Sequence, residues 1–84
     1  MKVHGVDIPD GTENAAWREL GPEFDFPEVQ GAVERVGQVP REVKRGASTF
    51  PISMRAADRM LQKWRKHGQV SFDRSRRVWT KSAN

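Results

Sequence analysis

The chain has 84 residues, with 15 Lys and Arg against 11 Asp and Glu and no cysteine. That length bounds it to a single domain, 1–84, with a small core, and the missing cysteines exclude a disulfide framework, a thiolate metal site and a thiol nucleophile. No apolar run approaches the ~20 residues of a membrane span, and Met1 to Asp10 carries no apolar signal segment, so a cytoplasmic protein that stays off membranes is expected.

The net charge of +4 is unevenly spread. Residues 1–37 hold three cations against eight acids, a net of −5, and residues 38–84 hold twelve cations against three acids, a net of +9. A basic C-terminal half of this kind points to a polyanionic partner, although a solvated basic face is the commoner cause in small proteins.

In chain order, residues 1–9 alternate loosely through Val3, Val6 and Ile8 and read as extended or frayed. Asp10 and Glu13 then stand at capping-box spacing before a short helix with Trp17 and Leu20 on one face, stopped by Gly21. Asp25 caps a second helix, FPEVQGAVERVG, with Pro27 in its first turn. Phe26, Val29, Val33 and Val36 share one face of it. Residues 38–52 are punctuated by Pro40, Gly46 and Pro51 and made basic by Arg41, Lys44 and Arg45. They read as a long basic loop, with a helical turn at REVK.

The third helix, 53–67, is the clearest element. Ser53 is its N-cap candidate, and MRAADRMLQKWRKH contains no Gly, Pro or β-branched residue before Gly68. Met54, Ala57, Met60, Leu61 and Trp64 gather on one side, with Arg55, Arg59, Gln62 and Lys66 opposite. QVSF, DRSR and RVWT follow as strand, turn and strand, with Val70 and Phe72 alternating as in a half-buried strand and either Val78 or Trp79, with Trp79 favoured, expected to face inward. An isolated hairpin is barely stable in water, so this one must lie on the helices. The expected fold is α+β: three helices packed with a C-terminal two-stranded β-hairpin, winged-helix-like in layout.

Catalysis finds little support. His4 and His67 lack metal-ligand spacing, the seven glycines form no phosphate loop, and no serine has a neighbouring base in sequence. No enzymatic activity, metal or cofactor is expected.

From Ser53 to Thr80, SMRAADRMLQKWRKHGQVSFDRSRRVWT resembles the recognition helix and wing of the winged helix-turn-helix superfamily. A capped helix ends in an apolar residue, cations and Gly, and is followed by a hydrophobic strand, a charged tip and an aromatic-bearing return strand. FDFPEVQGAVERVG supplies the preceding helix of the motif. The chain departs from the pattern between Gly37 and Ile52, because the motif's turn is ordinarily about 3–4 residues. The texture also resembles short uncharacterised phage and prophage proteins.

The resemblance implies duplex DNA binding by a small regulatory or accessory factor using the 53–67 helix and the 73–77 wing tip. It puts Arg55 and Arg59 at base edges, Gln62 at adenine or phosphate, and Lys63 and Lys66 on phosphates. The wing arginines Arg74, Arg76 and Arg77 would follow the backbone or a minor groove, and Arg41, Lys44 and Arg45 would clamp a neighbouring phosphate. The rival expectation is a winged-helix adaptor of a replication or transcription machine that binds a protein partner, or its own copy as a homodimer, and not DNA. The two differ in what they require: DNA binding needs helix and wing cations on one face, with neither Asp58 nor Asp73 between them.

Overall fold

A computed structural model describes residues 1–82. Residues 1–9 are not frayed. They form a minimal antiparallel hairpin, β1 (Lys2–Val3) and β2 (Val6–Asp7). His4 and Gly5 both take left-handed φ, 48° and 80°, which is the geometry a two-residue hairpin turn demands. Val3 and Ile8 carry the hairpin into the core.

Helix α1 (Thr12–Glu19) follows. Its N-cap is Gly11, in the left-handed region, not Asp10. Thr12 sits one residue inside and donates its hydroxyl to the Pro9 carbonyl at 2.7 Å, so the chain reversal is fixed by the turn and no acidic cap is needed. A two-residue strand, β3 (Glu23–Phe24), leads to α2 (Phe26–Gly37). Asp25 caps α2 as expected, and it does so in a capping box: the Glu28 amide donates to Asp25 Oδ1 at 2.9 Å, and the Asp25 amide donates back to the Glu28 carboxylate. Val29, Ala32 and Val33 are fully buried. At Gly37 a Cβ would lie 2.8 Å from Thr12 Cγ2 and 2.9 Å from Val39 Cγ2, so this glycine lets the end of α2 close on the start of α1.

The expected long basic loop over 38–52 is instead largely a second antiparallel hairpin, β4 (Glu42–Arg45) and β5 (Ser48–Pro51), turning on Gly46 and Ala47. REVK is strand, not a helical turn. Val43 and Phe50, cross-strand partners, and Pro51 at the end of β5 are drawn partly inward. The remaining strand positions face water, so no apolar alternation announces them.

Helix α3 (Ser53–Lys66) starts from Ile52, with no side-chain cap. Ser53 is the first helical residue and fully buried. Its hydroxyl donates to Glu34 Oε2 at 2.6 Å and accepts from Gln30 Nε2 at 3.1 Å, so it ties α3 to α2 rather than capping its own helix. Arg41 joins the same carboxylate at 3.3 Å. The Glu34 carboxyl is held below its ordinary range, chiefly by the Ser53 hydroxyl; burial opposes this, and Arg41 and Gln30 add to the lowering. The core face of α3 is Ala56, Ala57, Met60, Leu61 and Trp64, while Met54, expected inside, is 44% exposed.

The chain closes with β6 (Val70–Asp73) and β7 (Val78–Lys81). They do not stand alone: β3 pairs with β7 to give a three-stranded antiparallel sheet in the order β3-β7-β6. The architecture is thus mixed α+β, with three helices and antiparallel strands among the described residues. Trp64 lies at its centre, edge-on to Trp17 at 4.9 Å and to Phe24 at 6.4 Å between ring centroids. The Lys81 ammonium reaches the Trp17 and Leu20 carbonyls at 2.8 and 2.6 Å and sits 4.5 Å over the Trp17 ring. Its burial there pushes its pKa down.

Candidate nucleic-acid interface

At about 100° per residue, the solvent side of α3 has two edges and a middle. Arg59 and Lys63, four residues apart, make the edge turned to the N-terminal half. Arg59 Nη1 donates to the Lys2 carbonyl at 2.7 Å, and Lys63 Nζ pairs with Glu13 at 3.2 Å. Arg55, Gln62 and Lys66 run along the exposed middle. Met54, Asp58 and Arg65 form the other edge, all exposed.

Arg65 is the residue through which α3 and the β6–β7 hairpin meet. It shares one open groove with Arg74, Phe72 and Trp79 of the β6–β7 hairpin, and a second with Gln62 and Lys66. No carboxylate lines either groove. The C-terminal half of α3 and the β6–β7 hairpin therefore line two adjoining grooves that share Arg65 and hold no acid. The N-terminal half of α3 is different: Asp58 shares a depression with Pro51, Met54 and Arg55.

The wing tip is built around Asp73. Its Oδ1 accepts from the Ser75 amide at 3.0 Å, the Ser75 hydroxyl at 2.7 Å and the Arg76 amide at 3.2 Å. Its Oδ2 accepts from Arg76 Nε at 2.9 Å. These bonds, the Arg76 side chain first and Ser75 next, hold the Asp73 carboxyl well below the usual carboxylate range. Arg76 also pairs with Glu23 on β3, and its own pKa is raised by the two acids, Asp73 first. Asp73 is thus consumed in folding the turn, together with Arg76. Arg74 and Arg77 are exposed and make no side-chain hydrogen bond or ion pair within the described residues. Arg77 occupies a left-handed position, φ 56°, that glycine or asparagine fills at less cost.

The remaining cations divide in the same way. Arg41 is paired with Glu34. Arg45 donates to the His4 carbonyl and lies 5.9 Å over the Phe50 ring, docking the tip of the β4–β5 hairpin onto the N-terminal hairpin. Lys44 remains exposed between them. Of the eleven residues singled out from sequence, Arg59, Lys63, Arg76, Arg41 and Arg45 are engaged by main-chain carbonyls or carboxylates of the protein itself. Arg55, Gln62, Lys66, Arg74, Arg77 and Lys44 carry their polar groups outward.

Sequence reasoning missed Arg65 and Phe72. Arg65 flanks the stripe Arg55, Arg59, Gln62 and Lys66, and its partnership with the wing depends on how the hairpin folds back. Phe72 alternates correctly with Val70, but the core ends beneath it, leaving it 47% exposed.

Comparison with known proteins gives no match to a family model, to a curated protein or to a solved structure. Among the described residues, no helix is long and apolar enough to cross a membrane.

Proposed function

We propose that the protein is a non-enzymatic duplex DNA-binding factor that lays the exposed face of α3 in the major groove and its β6–β7 hairpin along the backbone, as a winged helix-turn-helix domain does. The observation that carries this reading is the groove shared by Arg65 of α3 and Arg74 of the wing, free of carboxylates and continuous with Gln62 and Lys66. A helix and a hairpin tip that aim unpaired cations in one direction suit a partner with regularly spaced phosphates. Sequestering Asp73 within the turn removes one of the two acids that would oppose it. The 42–51 hairpin replaces the motif's tight turn, and the Gln30–Ser53–Glu34 hydrogen bonds fasten α3 to α2 across that insertion.

On this reading Arg55 and Gln62 address base edges, while Arg65, Lys66, Arg74 and Arg77 hold phosphates. Arg59 and Lys63 set the orientation of the helix from the protein side. The test is fluorescence anisotropy with a random-sequence duplex at low and at physiological salt. The parent binds at low salt and weakens steeply as salt rises. The triple variant Lys66→Ala, Arg74→Ala, Arg77→Ala loses about three units of salt slope, one for each phosphate contact. Absence of duplex binding by the parent at low salt would overturn the proposal. The adaptor reading would then be favoured by the exposed Met54 beside Pro51, a small apolar patch flanked by Arg55 and Asp58.

A further inference from the structure

Phe72 is an expensive residue to leave on a surface, at 47% exposed. It is the direct cross-strand partner of Trp79, their ring centroids 5.0 Å apart and their planes at 51°. Strand alternation places Val70, Phe72 and Trp79 on the same face of the sheet, and Val70 and Phe24 take that face into the core. Phe72 stands beyond the core's edge, in the groove where Arg65 and Arg74 converge. Among the described residues the Arg65 side chain makes one hydrogen bond, from Nη1 to Gln62 Oε1 at 3.4 Å, so both guanidinium groups keep donors for a ligand. Asp73 is the nearest acid in sequence. It points to the opposite face of the strand, and its oxygens are taken by Ser75 and Arg76.

An exposed aromatic ring in a groove lined by two arginines suits a ligand that is planar and anionic. We infer that this groove takes an unpaired nucleotide strand, with a base stacked on Phe72 and its flanking phosphates on Arg65 and Arg74. A second copy of the chain fits poorly, because a two-fold contact over this groove would set each Arg65 and Arg74 against cations of the same kind. The inference deepens the duplex-binding proposal, on which it rests for the neighbouring α3 contacts: the preferred target becomes a duplex carrying a single-stranded overhang.

The experiment compares a blunt duplex, the same duplex with an oligo-dT overhang, and oligo-dT alone, by anisotropy at fixed salt. The parent binds the overhang duplex roughly tenfold tighter than the blunt one, the gain expected of a stacked base. Phe72→Leu, which keeps an apolar side chain but removes the ring, loses that gain and leaves blunt-duplex affinity unchanged. Phe72→Trp keeps it. Far-UV circular dichroism confirms that both variants are folded. Equal binding of blunt and overhang duplexes by the parent overturns the inference, as does an undiminished gain in Phe72→Leu. Binding of the overhang duplex and oligo-dT without the blunt duplex upholds the groove and overturns the duplex proposal instead.

Discussion

Arg59 and Lys63 on one edge of α3 and Arg65 on the other carry the same charge and put it to different uses. On one edge, Arg59 and Lys63 are bound to the Lys2 carbonyl and to Glu13, so their charge holds the N-terminal hairpin and α1 against the helix. On the other, Arg65 and the adjoining Lys66 face grooves without a carboxylate. A count of cations on a helical wheel treats the two alike. Free positive charge is what remains after the fold has taken its share, and here the fold takes it from one side. The same division runs through the hairpins: Arg45 and Arg76 are anchored, while Lys44, Arg74 and Arg77 are not.

The largest expected effect abolishes the comparison by removing what lies under both edges. Trp64→Ala vacates the centre of the core and should cost about 3–5 kcal/mol in chemical denaturation, enough to unfold a domain of this size. A cooperative transition near that of the parent would contradict the central placing of Trp64. A sharper test compares cation pairs on the helix. Arg65→Ala with Lys66→Ala should reduce the salt slope of duplex binding by about two, whereas Arg59→Ala with Lys63→Ala should change it by less than half of that. Equal losses would erase the distinction between the edges.

The smallest effect concerns how the helix is fixed in place. Ser53→Ala removes a buried charge-assisted hydrogen bond and should cost about 1–2 kcal/mol at neutral pH. Because the folded-state pKa of Glu34 is depressed, its contribution is complete above the ordinary glutamate value of about 4.3 and is lost as pH falls through the folded value. The stability difference between parent and Glu34→Gln should therefore be present at pH 7 and shrink in acid. A difference that persists unchanged well below pH 4 would show that the carboxylate's charge is not what Ser53 and Arg41 recognise.

Local chemistry was readable in the sequence where it acts over a few residues. The Asp25–Glu28 capping box, the uninterrupted helix formers of α3 and the strand-turn-strand of 70–81 all depend on near neighbours. What escaped depends on distance along the chain. Phe24 pairs with Trp79, and Ser53 bonds to Glu34, across separations that no local pattern encodes. The β4–β5 hairpin escaped for another reason: it pairs mostly with itself in water, so Val43 and Phe50 are its only apolar signal. The basic helix face and wing tip stood out by composition, but which of their cations remain unpaired is decided by Lys2, Glu13 and Glu23 from the other half.

The return strand β7 is secured at several points: by its ladder to β3, by Lys81 on the carbonyls that end α1, and through the tip by Arg76 on Glu23. Mechanically, this makes the hairpin a lever arm and not a flap. A force applied at Arg74 is transmitted to the end of α1 instead of being absorbed by a hinge. If the proposed partner docks on this rim of the molecule, the compliance needed for a close fit has to come from the partner.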